Sequence, residues 1–163
     1  MKYTTFPAAL LAGLTGSVAA MLLTAPAAGA ATNPHQGIYQ AAADVGYRVS
    51  NEHDECTASP GLMGFVTSRG GKPVEFVICT GNAPSSSTAF KTIRHEGIHV
   101  AQVCKGGMIL PQHEVEFISR AQDEGWDILA YPERQWSTEA EALVLANEYT
   151  AQEVEATIRH FCF

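Results

Sequence analysis

The chain has 163 residues, with 17 acidic side chains against 10 basic ones and a formal net charge of −7. The basic residues form no cluster, which argues against nucleic acid or an anionic membrane surface as a partner. A hydrophobic share of 46 % is enough for one modest core and gives no sign of a second domain.

The N-terminus reads as a targeting segment. Lys2 supplies a positive start, residues 7–23 are almost all apolar or small, and Ala28-Gly29-Ala30 fits a small-x-small cleavage site. Gly13, Thr15, Gly16 and Ser17 dilute the apolar run, which favours a cleaved signal peptide over a retained membrane anchor. The expectation is a signal peptide over residues 1–30 and one exported domain over residues 31–163. That domain is expected to be secreted or periplasmic, monomeric and without stable membrane association. An even set of cysteines (Cys56, Cys79, Cys104 and Cys162) in such a chain predicts two disulfides. Four cysteines allow three pairings. Cys56–Cys79 with Cys104–Cys162 is favoured, the second tying the tail to the middle of the chain. No C-x-x-C pair supports a cysteine-bound structural zinc.

Within residues 33–51, Ile38, Ala41, Ala42 and Val45 repeat at helical spacing and Gly46 marks a break. Residues 51–61 are polar and turn-rich. Residues 62–67 and 74–79 are strand-like, and residues 68–73 form the turn between them, so a β-hairpin is expected with residues 74–79 as an edge strand. In residues 89–104, Phe90, Ile93, Gly97, Val100 and Cys104 make one apolar stripe. Ser85 to Thr88 offer N-cap hydroxyls, and Gly106-Gly107 a stop. Residues 111–122 predict a helix with Val115, Ile118 and Ala121 facing inward. Pro132 opens a further helix that runs to Asn147 and on toward Ile158. The fold class is α+β: a mainly helical single domain, stapled by disulfides, with a small hairpin sheet preceding the central helix. Residues 31–46 are also long enough to act as a propeptide covering a cleft.

The central helix carries His95-Glu96-Gly97-Ile98-His99. Residues four apart share a helix face about one turn apart, so both imidazoles can reach one ion. A carboxylate directly after the first histidine lies on the neighbouring flank, where it can take a proton from an activated water. This is the pattern of a zinc hydrolase, with His95 and His99 as ligands and Glu96 as general base. A catalytic zinc needs a third protein ligand. The stretch Trp136-Ser137-Thr138-Glu139-Ala140-Glu141-Ala142-Leu143 sets carboxylates among small and apolar residues on a later helix. A charge on such a face needs a partner, and zinc is a good one.

On these residues the chain resembles the zincin metallopeptidases, specifically the gluzincin-like branch. There a helix-borne H-E-x-x-H is followed by a second helix with a glutamate ligand, often as E-x-x-A. Glu139 to Ala142 fits that form with Glu139 as the third ligand. Glu141 is the alternative, its other role being a capping or solvated carboxylate. The resemblance implies Zn²⁺ as cofactor, peptide or protein as substrate, and an extended substrate added to the edge strand. Leu143 stands where the branch has an aspartate that orients the first histidine, so that role must fall elsewhere. The extended metzincin form needs Gly at 102 and His at 105, where this chain has Gln102 and Lys105.

His113 is a further candidate ligand beside Glu114, with a solvated role favoured. Tyr131 and Tyr149 flank the glutamate helix as candidate oxyanion donors, and Arg94 is expected to be a structural ion-pair partner. His35, His53 and His160 carry no pattern. Two rival readings keep the export signal: a non-catalytic zinc-stabilised binding domain, and a disulfide-stapled interaction protein with no metal. A non-peptide amide bond, as in a cell wall, is a variant of the hydrolase reading.

Overall fold

A computed structural model describes residues 33–163. The expected signal peptide lies outside the described residues. The domain is α+β, with helices packed around a three-stranded sheet. Its chain order is α1 (Gln36–Val45), β1 (Arg48–Ser50), α2 (Asp54–Ala58), β2 (Gly64–Arg69), β3 (Lys72–Ile78), α3 (Ser86–Lys105), α4 (Glu114–Asp123), α5 (Trp136–Glu148) and α6 (Ala151–Cys162).

The helix α1 buries Ile38, Ala41 and Ala42 and ends at Gly46, whose φ of 111° is the left-handed conformation a helix stop needs. Its packing on α3 and α6 makes residues 36–45 part of the core. The chain then forms β1, a strand too short to show alternation, which pairs in parallel with Glu75 to Val77. The hairpin β2–β3 closes on Gly70 and Gly71 alone, both at positive φ. A two-residue turn of this kind suits the right-handed twist of its strands, so the strands reach further than the six-residue turn expected from the sequence.

The strand order is β1-β3-β2. This corrects the expected edge strand: β3 is central, and β2 is an outer strand. Pro73 is tolerated in β3 because β1 pairs only from Glu75 onward, so no neighbour on that side needs its missing N–H.

The central helix α3 starts at Ser85, whose hydroxyl accepts from the Thr88 N–H at 3.1 Å, and stops at Gly106, φ 82°. Ile93, Gly97, Ile98, Val100 and Ala101 are buried on it. A methyl group at Gly97 would stand 2.6 Å from Val154 Cγ1 and 3.0 Å from Ile38 Cγ2. Glycine there is what lets α6 and α1 close on the motif helix. The 3-10 turn Pro111–His113 shifts the phase of α4, so its inner residues are Phe117 and Ala121, and Val115, expected inside, is 81 % exposed. The helix expected to reach Asn147 ends at Glu148, and the stretch on to Ile158 belongs to a separate helix. The chain is extended at Tyr149, and Thr150 with Glu153 forms a capping box that starts α6.

The disulfides pair Cys56 with Cys79 and Cys104 with Cys162. The first holds α2 to the end of β3, and the second holds the end of α6 to α3. They fit an oxidising compartment. No helix among the described residues is long and apolar enough to cross a membrane.

Candidate metal centre

The helices α3 and α5 pack against each other and bring their polar residues to one cavity of about 510 Å³. His95, Glu96 and His99 enter it from α3, Glu139 from α5, and Tyr131 from the loop before α5. Phe65, Val66 and Ser68 of β2 form the opposite wall.

His95 Nε2 and His99 Nε2 are 3.0 Å apart, and Glu139 Oε2 lies 3.5 Å from the first and 3.4 Å from the second. Tetrahedral bonds of ~2.0–2.1 Å space their ligand atoms by ~3.3–3.4 Å, so this triangle has the size of one face of a zinc site. Glu139 Oε2 is buried and receives no hydrogen bond of ordinary geometry, since both rings stand beyond good reach. Three lone-pair donors thus converge on one point, which is stable only with a cation or shared protons there. Two imidazoles and a carboxylate suit a catalytic zinc.

The charges are strongly coupled. Burial opposes ionisation of Glu139, but its contacts with His95 and His99 hold its carboxyl down to about 2. Burial by itself lowers His99; contact with Glu139 and the charges of Glu96 and Glu139, with help from Gln102, lift it to about 9. Glu96 is 5 % exposed. Burial raises its pKa, His95 and His99 oppose the rise, and Glu139 adds to it. A carboxylate whose pKa is raised is a stronger base than an exposed one, which suits it to accepting and returning a proton. Gly64 makes room for it: a methyl at that position would stand 3.1 Å from Glu96 Cγ and 2.9 Å from Val77 O.

Glu141 takes a different part. It is fully buried and accepts from the Ile109 N–H at 2.7 Å, the Leu110 N–H at 2.6 Å and Gln102 Nε2 at 2.8 Å. Its carboxylate is thus occupied as a cap for the loop after α3, which takes it out of the third position. Trp136, Glu139 and Leu143 are half-buried on α5, and Glu141, Val144, Leu145 and Ala146 are among its deeply buried residues.

Gln102, read from the sequence only as a departure from another branch, is 4 % exposed and touches the site directly. Its Oε1 lies 2.7 Å from His99 Nδ1. The signal available was its position three residues after His99, on the same helix face.

The chain matches the model of a domain family over residues 25–163, a domain of unknown function, DUF8637. It belongs to that family. Neither a curated protein nor a solved structure matches it. The site of this DUF8637 chain is therefore read from its own geometry.

Among the other candidates, His113 lies on the surface with Nδ1 3.0 Å from Glu116 Oε2. Tyr149 does not line the cavity, whereas Tyr131 does. Burial, then Glu139 and Glu96, push the Tyr131 phenol up. Among the described residues Arg94 has no ion-pair partner: its Nε donates to the Ala146 carbonyl at 2.7 Å, near the C-terminal end of α5, where positive charge is favoured. Its Nη1 faces His35 Nε2 at 3.3 Å. His53 Nδ1 accepts from the Glu55 N–H as the cap of α2.

Proposed function

We propose that this is an exported zinc-dependent metallopeptidase, with His95, His99 and Glu139 as metal ligands and Glu96 as general base. The observation that carries the reading is the convergence of two ring nitrogens and one carboxylate oxygen within 3.0–3.5 Å, with a buried glutamate in the same cavity.

Bound by these residues, Zn²⁺ supplies Lewis acidity toward water and the scissile carbonyl. Glu96 accepts a proton from the attacking water and returns it to the leaving amine. Its near-complete burial keeps bulk water from competing for that proton. Tyr131 stands at the cavity wall, where its hydroxyl donates to the developing oxyanion. The outer strand β2, and not the central β3, lies along the cavity, so an extended peptide adds to β2. A signal peptide over residues 1–30 fits the oxidising compartment that the disulfides require.

The test is a peptide-library digest by the zinc-loaded oxidised chain, with a Glu96→Gln control. Cleavage by the wild type and none by the variant supports the reading. Zinc binding with no cleavage of any peptide or amide turns it into a non-catalytic zinc domain.

A further inference from the structure

We propose that Gln102 is a positioning residue that, held by Glu141, fixes the His99 ring with its proton on Nδ1 and its Nε2 lone pair facing the metal. This rests on the reading of the cavity as a zinc centre, and it concerns the second histidine, not the first one that an aspartate at Leu143 would orient.

The argument runs through hydrogen-bond roles. Gln102 Nε2 lies 2.9 Å from the Thr138 carbonyl oxygen and 2.8 Å from Glu141 Oε2. The carbonyl is an obligatory acceptor. Glu141 also takes the Ile109 and Leu110 N–H groups, so its carboxylate acts throughout as an acceptor. Only an NH₂ group fits between these oxygens, and turning the amide over would set oxygen against oxygen at both contacts. The amide orientation is therefore determined by its partners. Gln102 Oε1 is left facing His99 Nδ1 at 2.7 Å, and an acceptor there requires a hydrogen on Nδ1. The neutral ring then keeps its proton away from the metal side.

The same carboxylate joins two parts of the site. Glu141 caps the backbone of Ile109 and Leu110, just after Gly106 and Gly107, which line the cavity. Cavity wall and ring orientation thus share one buried anchor, distinct from the ligand Glu139 two residues earlier. His95 has no such support: its Nδ1 is buried without a partner among the described residues. The positioning falls on one imidazole of the pair.

The first test needs no variant. Long-range ¹H–¹⁵N spectra of the metal-free wild type, recorded well above the His99 value of about 9 so that the ring is neutral, read which His99 nitrogen carries the proton. A proton on Nδ1 is expected, and a proton on Nε2 would overturn the proposal. The second test measures zinc affinity by chelator competition in Gln102→Leu and Gln102→Met. Loss of the orienting hydrogen bond is expected to weaken zinc about 10–100-fold. Unchanged affinity in a folded variant overturns the positioning role while leaving the zinc site intact. Failure of the wild type itself to bind zinc removes the site reading, a result separable from the ring measurement.

Discussion

Glu139 and Glu141 sit two residues apart on α5 and have opposite surroundings: Glu139 Oε2 is 3.4–3.5 Å from two imidazoles without a normal hydrogen bond, whereas Glu141 accepts three N–H groups. Glu139→Ala is expected to lose zinc yet keep the metal-free fold. Glu141→Ala removes the acceptor of the Ile109 and Leu110 N–H groups and of one Gln102 Nε2 hydrogen, and a loss of about 3 kcal/mol or more is expected in chemical denaturation. Equal stability of the two variants would contradict this division.

Glu96→Gln keeps the shape of the side chain and removes the proton acceptor. Zinc content is expected to be unchanged and the hydrolytic rate to fall at least ~100-fold, the lower end of what general-base catalysis contributes. Turnover within a few-fold of the wild type would remove Glu96 from the chemistry.

Gly97 is a packing requirement inside the motif. Because a methyl there meets Val154 and Ile38, Gly97→Ala is expected to cost about 1–3 kcal/mol through overpacking. An unchanged thermal midpoint would show that α6 can shift away at little cost.

His35 gives a pH dependence apart from the metal centre. It is stacked on Phe90 at 4.5 Å and faces Arg94, and burial, then the Arg94 charge, lower its pKa below 6.5. The folded protein thus binds this proton less readily than the unfolded chain. The corresponding stability is complete above pH ~6.5 and is lost as pH falls from there through the folded-state value. In His35→Phe, which keeps a stacked ring, that part of the decline is expected to vanish. Parallel thermal midpoints for wild type and variant between pH 7 and 5 would contradict it.

The two disulfides differ in the length of chain they close, 23 residues for Cys56–Cys79 and 58 for Cys104–Cys162. Chain-entropy arguments give about 3 and about 4 kcal/mol respectively. Replacing Cys104 and Cys162 by serine is expected to destabilise more than replacing the other pair, and to increase amide exchange in α6 first. Greater exchange in the hairpin would point to a different weak region.

Much of this was legible in the sequence. The stripe through Phe90, Ile93, Gly97 and Val100 has the helical period, and Gly46, Ser85 and Gly106 act as the punctuation their types suggest. The disulfide pairing matches the favoured one. Harder to read were elements shaped by contacts distant in sequence. β1 has three residues and exists because β3 offers it a partner, and that partner makes β3 central. Val115 faces outward, against its spacing, because a three-residue turn before α4 changes the phase of the helix. The break at Tyr149 had a signal, Thr150 with Glu153, masked by the continuous apolar run. The E-x-x-A form points to Glu139 as ligand and leaves Glu141 as the alternative; what occupies Glu141 lies 31 and 32 residues upstream, in the Leu110 and Ile109 amides. Gln102 acquires its meaning only when α3 meets α5.

The central claim is the metal centre, and elemental analysis of the oxidised mature chain beside its His95→Ala variant tests it most directly. The account predicts one zinc per chain in the wild type and little or none in the variant. Absence of zinc from the wild type after incubation with excess metal, or equal zinc in both proteins, would contradict it.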